Sequence, residues 1–206
     1  RQDAKESEFH GDPLAVDDLI LAGTDAAGAG HIYAFEAASG QVRWKQAISG
    51  SDPNIPGGLR TDIVRAGGNI YAVGMDGKLH CLDLKTGKEN WTYADVEPES
   101  SPAADASRVY VGGTDGKVRA LDAVTGQPVW ESDMEATVTT GLTARNDSVF
   151  VGTSPFRVVD MAAPTGIANR KFALQAKPVR TLVLADNSIV AFLHSNAGEG
   201  EADTLI

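Results

Sequence analysis

Of the 206 residues one is a cysteine, Cys81. A single thiol excludes an intrachain disulfide and any site built from several thiolates, and it leaves the redox compartment undecided. Basic residues are also scarce: 18 Lys and Arg stand against 28 Asp and Glu, a formal charge of −10. Nucleic-acid binding needs a basic stripe that neutralises phosphates, and no Lys/Arg cluster interrupts the acidic background, so no nucleic-acid partner is expected. Long apolar runs are missing too. Stretches such as SIVAFL (188–193) fall far short of the ~20 residues a membrane-spanning helix requires. No stretch holds a helical period. His10, His31 and His194 lack metal-ligand spacing, and no P-loop, GxGxxG or nucleophile elbow occurs. No catalytic residue, cofactor or metal is therefore expected. The chain opens on Arg1 without a visible signal peptide, which is expected of a processed form or of a piece of a longer protein.

What the chain does contain is a repeated phrase. AFEAASGQVRW covers 34–44, CLDLKTGKENW 81–91 and ALDAVTGQPVW 120–130; a degenerate copy, VVDMAAPTGIANR, covers 158–170. The turn glycines are Gly40, Gly87, Gly126 and Gly166, so successive spacings are 47, 39 and 40 residues. All three tryptophans, Trp44, Trp91 and Trp130, stand four residues after such a glycine. A period near 40 with strand-like content indicates propeller blades.

A second phrase precedes the first in each unit: LILAGT (19–24), NIYAVGM (69–75), RVYVGGT (108–114), SVFVGTS (148–154) and SIVAFLHS (188–195). These are short β-branched or aromatic runs bounded by Gly, Asp, Asn and Ser, the pattern of strands joined by tight turns. The fold class expected is all-β, a propeller of four-stranded antiparallel blades, with strands A to D in chain order. Strand A is TDIVRA, SPAADA or TTGLTA, B is the second phrase, C ends near the Asp, and D carries the tryptophan. Thr-Gly or Ser-Gly closes the C–D hairpin, where glycine takes φ > 0 without a Cβ clash, and Asp83 or Asp122 accepts backbone N–H bonds around it. The tryptophan covers the neighbouring blade, removing roughly 150–250 Å² from water. Cys81 occupies the slot of Ala34 and Ala120. His80 falls in the slot of Tyr33, Arg119 and Arg157 and is expected at the surface.

The A-x-D-x-x-T-G-x-x-x-W pattern resembles the tryptophan-docking repeat of quinoprotein-type (PQQ-like) β-propellers. Two copies match well; Glu36 and Ser39 replace Asp and Thr in the first, and Arg170 replaces Trp in the fourth. The resemblance implies one of three roles: a dehydrogenase using pyrroloquinoline quinone, a non-catalytic scaffold such as the lipoprotein subunit of the outer-membrane β-barrel assembly machine, or an extracellular sensor domain. The dehydrogenases sandwich the quinone between a Trp and a disulfide of adjacent cysteines, with acidic and amide ligands to Ca²⁺. Here no adjacent cysteines exist and every tryptophan is committed to a repeat slot. The resemblance therefore implies a non-catalytic scaffold or recognition module in the periplasm or secreted, binding another protein or peptide. A fragment of a PQQ-dependent dehydrogenase is the alternative. A propeller glycosidase is a further one, and its chemistry needs two carboxylates about 5–10 Å apart across a sugar.

In such a meander the D–A and B–C connections share one face and the A–B and C–D turns the other, with strand A lining the channel. Alignment on strand B then places His10/Gly11, Thr61/Asp62, Ser100/Ser101, Thr140/Gly141 and Arg180/Thr181 at the channel mouth. This small polar ring could hold a ligand or peptide, although a solvated channel is the favoured account. It offers Asp62 as a carboxylate, with Asp12 nearby. The same face is expected to carry the irregular loops 24–31, 48–58 and 194–203, against tight connections at 75–78 and 114–117. Departures from the repeat minimum are where recognition concentrates.

Cut after each turn glycine, the chain gives units 1–40, 41–87, 88–126, 127–166 and 167–206 of a single domain. DAKESEF (3–9) could supply the missing outer strand of the last blade and close a five-bladed ring. The resemblance instead implies seven or eight blades, and the chain stops at DTLI, where strand C has barely begun; about four blades and a partial fifth of a larger propeller fit better. Open sheet faces would then call for self-association or a further chain segment.

Overall fold

The computed structural model describes residues 8–26, 29–49, 57–97, 100–154 and 157–174, with short strand pieces at 177–178, 183–185, 188–190 and 193–194. Among the described residues there is no helix, and none is long and apolar enough to cross a membrane. The chain divides into two compact units, 1–102 and 103–206.

The first unit holds two sheets. Sheet 1 runs β1 (Glu8–Val16), β2 (Leu19–Ala26), β3 (Ala29–Glu36) and β4 (Val42–Ser49), all antiparallel, with the two-residue β5 (Gly57–Gly58) paired to the end of β2 on the edge opposite β1, beyond the β2–β3 pairing. Sheet 2 runs β6 (Val64–Ala66), β7 (Asn69–Val73), β8 (Leu79–Asp83) and β9 (Glu89–Tyr93). The second unit repeats the plan. Sheet 3 is β10 (Ala103–Ala104), β11 (Arg108–Gly112), β12 (Lys117–Asp122) and β13 (Pro128–Asp133); sheet 4 is β14 (Thr143–Arg145), β15 (Ser148–Thr153), β16 (Arg157–Ala162) and β17 (Ala168–Ala173). Each sheet is a meander in chain order, because every connection is too short for a crossover.

Local chemistry sets the turns. The first hairpins of sheets 1, 2 and 4 close on two residues, Asp17-Asp18, Gly67-Gly68 and Asn146-Asp147, and the first of each pair has φ between +51° and +59°. Asp, Asn and Gly are the residues that tolerate this region, and such turns match the twist of the flanking strands. In the C–D turns of sheets 2 and 3, Asp83 and Asp122 each accept bonds at Oδ1 from two backbone amides and a threonine hydroxyl. In sheet 1, Ser39 donates to Glu36 in the same place.

Backbone bonds also define the two ends of the sheets. At one end the C–D turn ties to the A–B turn in every sheet, as in Ala37 N–H to Asp18 O (2.8 Å) and Leu84 N–H to Gly68 O (2.9 Å). At the other end the link after the last strand ties to the B–C hairpin, as in Val96 N–H to Gly77 O (3.1 Å) and Met134 N–H to Gly116 O (3.2 Å).

In the first unit Leu19, Leu21, Ile32, Ala34 and Trp44 of sheet 1 pack on Ile70, Ala72 and Leu82 of sheet 2; in the second, Tyr110, Val118 and Ala120 of sheet 3 pack on Val149, Val151 and Met161 of sheet 4. Burying such faces is the main driving force of the fold. Strands β7, β11 and β15 are buried on both faces, whereas β2 alternates buried and exposed at Leu19–Ala22, as expected of a sheet with one covered face.

Three expectations need correction. Residues 24–31 are not chiefly a loop: β2 runs to Ala26 and β3 starts at Ala29, and Asp25 pairs with both Glu8 and Gly58. The hairpin is longer because β5 and the N-terminal part of β1 extend it. Of DAKESEF, Glu8 and Phe9 belong to β1 of the first sheet rather than to an outer strand of a last blade, since they pair with Asp25 and Thr24. The rest of that stretch lies outside the described residues, as do 50–56 and 195–203. His80 is buried, 6% exposed, for a reason given below.

Candidate functional site

Four of the residues singled out for the rim, His10, Thr61, Asp62 and Ser101, come together in the first unit. Gly11, at φ +71°, lets β1 pass so close to the 61–62 backbone that a Cβ there would lie 2.6 Å from the Thr61 carbonyl oxygen. β1 bulges between His10 and Leu14 at this point, a device that re-aims a strand at an edge. The amide of Asp12 donates to Asp62 Oδ1 (2.9 Å), Ser101 Oγ donates to Asp62 Oδ2 (3.2 Å), and the amide of Asp62 donates to Ser101 Oγ (3.0 Å). Beside them, Asp25 holds His10 Nε2 at 3.1 Å and Arg60 Nε at 2.8 Å. Asp25 is almost buried, while the Arg60 side chain is 43% exposed.

The threonines serve another purpose. Thr61 and Thr140 are 3% and 2% exposed. Thr61 Oγ1 donates to the Val73 carbonyl (3.1 Å), and Thr140 Oγ1 accepts from the Gly152 amide (3.0 Å) and donates to the Gly141 carbonyl (2.9 Å). Each fixes the start of its first strand to the second strand of the same sheet. Ser100 is likewise buried. Arg180 and Thr181 lie outside the described residues. Sequence reasoning missed Asp25 and Arg60, because Asp25 was placed in a loop and Arg60 precedes the strand.

Both oxygens of Asp62 accept hydrogen bonds from the chain itself, which leaves the group a strap rather than a poised acid or base. Among the described residues no three His, Cys, Asp or Glu side chains are grouped to hold a metal.

A buried histidine and a buried arginine sit at the B–C end. His80 Nδ1 meets Glu89 Oε2 at 2.7 Å and its Nε2 meets Asp76 Oδ1 at 3.2 Å. Burial pushes its pKa down, but the bonds to the two carboxylates outweigh burial and raise it. In sheet 3, Arg119 fills the same slot: Nε donates to Glu131 (2.9 Å) and Nη1 to Asp115 (3.0 Å), and the Asp115 carboxyl is lowered to about 2 by that bond. Asp-Gly-Lys turns thus place a carboxylate under a cation four residues on, which is why His80 is inside.

The indoles are committed. Trp44 Nε1 donates to the Leu84 carbonyl (3.0 Å) and Trp130 Nε1 to the Ala163 carbonyl (2.8 Å), with the rings lying on Gly87 and Gly166. Trp91 leans on Tyr71 at 5.8 Å. Cys81, paired opposite Trp91, is fully buried and its thiol is pushed up to about 11 by burial. Pyrroloquinoline quinone needs an open aromatic platform; these side chains do not fit it.

Four-stranded antiparallel meanders of this build are the blades of a β-propeller. The chain matches, over residues 28–187, the model of the family described as outer membrane protein assembly factor BamB, and it belongs to that family. BamB from Moraxella catarrhalis superposes with a TM-score of 0.67 at 20% identity, over 90% of this chain and 61% of that one. A europium-containing methanol dehydrogenase also gives 0.67, at 16% identity, over 90% and 47%. These likenesses are of fold. The dehydrogenase subunit of the quinone alcohol dehydrogenase of Gluconacetobacter polyoxogenes is 32% identical over 99 residues, 44% of this chain and 12% of that protein. The matched stretch is thus a small part of that relative's length.

Proposed function

We propose that this chain is a non-catalytic scaffold or recognition module of the cell envelope, one propeller domain over 1–206, that binds another protein or peptide through the sheet ends where D–A links and B–C hairpins meet. The family's description as an assembly factor supports the reading. The observation that carries it is the rim of the first unit. Asp12, Asp62 and Ser101 are linked by hydrogen bonds from one sheet to the next, and beside them Asp25 joins His10 of its own sheet to Arg60. A polar surface fixed in advance loses little freedom on binding. The opposite end consists of minimal turns with little shape to recognise. Arg180, Thr181 and the segments 48–58 and 194–203 belong to the proposed surface by their place in the repeat.

The test is charge reversal. Asp12→Lys and Arg180→Glu should weaken partner capture from envelope extracts, and the exposed Asp12→Lys should leave the melting temperature unchanged, since exposed substitutions shift stability by less than about 0.5 kcal/mol. Lys85→Glu and Lys88→Glu, at the turn end, should do neither. Crosslinks confined to the turn end would overturn the choice of face. The 32% identical stretch favours a second reading, a segment of a quinone-dependent dehydrogenase, although the residues here do not fit the cofactor.

A further inference from the structure

Sheet 1 departs from the repeat at its B–C end. Sheets 2 and 3 turn there on Asp-Gly-Lys, whereas β2 runs to Ala26, β3 starts at Ala29, and β5 lies along the end of β2 with Gly58 opposite Asp25. Glycine permits this approach: a Cβ on Gly58, at φ +101°, would run into the Thr24 carbonyl oxygen, and one on Gly30 into the Gly58 Cα. Two backbone bonds then tie the segment down, Leu59 N–H to Thr24 O at 3.0 Å and Met75 N–H to Gly58 O at 2.9 Å. The residue this platform delivers is Arg60.

Arg60 is held from behind. Among the described residues its hydrogen-bond partner is Asp25, which takes Nε alone at 2.8 Å. Asp25 cannot follow a moving arginine: its side chain is 12% exposed, its backbone pairs with Glu8 on one edge and Gly58 on the other, and His10 Nε2 lies 3.1 Å from its second oxygen. The Nη1–Nη2 end of the half-exposed guanidinium is left facing outward, and that end is the fork that meets a carboxylate through two parallel bonds. The other exposed arginines of the first unit are held differently. Arg43 and Arg65 pair with Asp18 and Asp17 at the turn end, carboxylates that are themselves mostly exposed. Around Arg60 the rim is acidic, with Glu8 and Asp12 exposed, in a chain of formal charge −10. A wholly acidic partner would be repelled by that field. The group that fits carries a carboxylate for Arg60 beside cations for Glu8 and Asp12.

We propose that Arg60 is a carboxylate-binding site for the protein or peptide partner, selective for a carboxylate flanked by basic residues, with Asp25 and His10 as positioning residues. The proposal rests on the reading of the rim as the partner surface and adds the chemistry of the partner to it. A guanidinium fixed in advance by a nearly buried carboxylate gives up little freedom when the ligand arrives, which is what the glycine-built platform and the Asp25 bond together achieve.

The probe is the capped peptide Ac-Lys-Gly-Glu-Gly-Lys-NH2, titrated at low salt into the 15N-labelled chain and read on the Arg60 Nε–H signal and the Asp25 and Thr61 amides. Saturable shifts are expected, weakening as salt is added. The same peptide with Gln for Glu should bind several-fold more weakly. A third peptide, with Gln and a free C-terminal carboxylate, shows whether a chain end serves as well as a side chain; binding by either carboxylate supports the site and names its source. Arg60→Gln should abolish the shifts, and Arg60→Lys, which keeps the charge without the fork, should weaken binding several-fold. Asp25→Asn should also weaken it several-fold and broaden the Arg60 Nε–H signal, with the other amides in place to show that the fold is kept. Equal binding of the capped Gln peptide, absence of shifts, or their persistence in Arg60→Gln overturns the proposal. Partner capture that Asp12→Lys abolishes and Arg60→Gln leaves intact would refute Arg60 while sparing the rim; capture indifferent to both would refute the rim itself.

Discussion

Two glycines in nearly the same backbone conformation separate the turn from the indole that rests on it. Gly40 has φ +67° and Gly87 +70°, and each donates its amide to the carbonyl four residues back, at 2.8 and 2.9 Å. Alanine at either position meets the same left-handed penalty of roughly 1–2 kcal/mol, offset by about 0.4–1 kcal/mol because alanine loses less chain freedom on folding than glycine. Gly40→Ala should therefore cost about 1 kcal/mol. At Gly87 the new methyl enters the space of Trp44, a ring that is 9% exposed and bonded to Leu84. Overpacking adds about 1–3 kcal/mol if the ring shifts in place, and about 3–5 kcal/mol if it leaves, which is the cost of losing a buried aromatic. Gly87→Ala should thus exceed Gly40→Ala by at least about 1 kcal/mol. Gly166→Ala should follow Gly87 through Trp130. Urea unfolding followed by circular dichroism reads the difference as a shift in midpoint at constant slope. Equal midpoints for the two variants would show that the indole does not rest on Gly87.

Two further outcomes follow from the buried groups. His80, raised by its bonds to Asp76 and Glu89 against the pull of burial, contributes stability in full below the ordinary histidine value of ~6.5 and loses it as pH rises through the raised folded value. The melting temperature should fall as pH rises above the ordinary histidine value of ~6.5, and His80→Gln should flatten that slope; a rise with pH in the parent would refute the ion pairing. Pyrroloquinoline quinone with Ca²⁺ should give no dye-linked alcohol or sugar oxidation, and turnover that chelation abolishes would restore the dehydrogenase reading.

The strand pattern and the turns were legible because they depend on residues next to one another. Asp-Asp, Gly-Gly and Asn-Asp closed the A–B hairpins, and Asp83 and Asp122 bonded their own turns. The candidate site was less legible, because it depends on contacts between sheets. Asp62 and Ser101 are 39 residues apart, and Asp25 and Arg60 35 apart; no local rule pairs them. Thr61 and Thr140 stand three residues ahead of β6 and β14 rather than on the first strand as expected, and whether their hydroxyls face solvent or the second strand is a matter of side-chain direction that spacing does not carry. His80 is the instructive miss. MDGKLH and TDGKVR already set a carboxylate four residues before His80 and Arg119, so the aligned arginine was a clue to a buried ion pair rather than to the surface.

The fourth unit is best understood as a different solution to the same packing problem, not as a decayed copy. In the first three sheets the residue opposite the tryptophan is small: Ala34 faces Trp44, Cys81 faces Trp91 and Ala120 faces Trp130. In sheet 4 both partners differ together, Asp160 facing Arg170, with the bulge at the same step as in the others. Asp160 is 1% exposed and accepts from Arg170 Nε at 3.1 Å and Nη2 at 3.0 Å, while the guanidinium lies 5.5 Å over Phe172. Losing Arg170 would leave the Asp160 carboxylate buried without its main partner, which is costly, whereas the exposed Arg170 would stay solvated without Asp160. A tryptophan hands an N–H to the next turn and is hidden in doing so. Arg170 keeps its side chain 67% exposed, which leaves this sheet with a charged outer strand where sheets 1 and 3 have an anchored indole. The outer strands of the sheets are therefore chemically unequal, an anchored indole in sheets 1 and 3 and an exposed guanidinium in sheet 4.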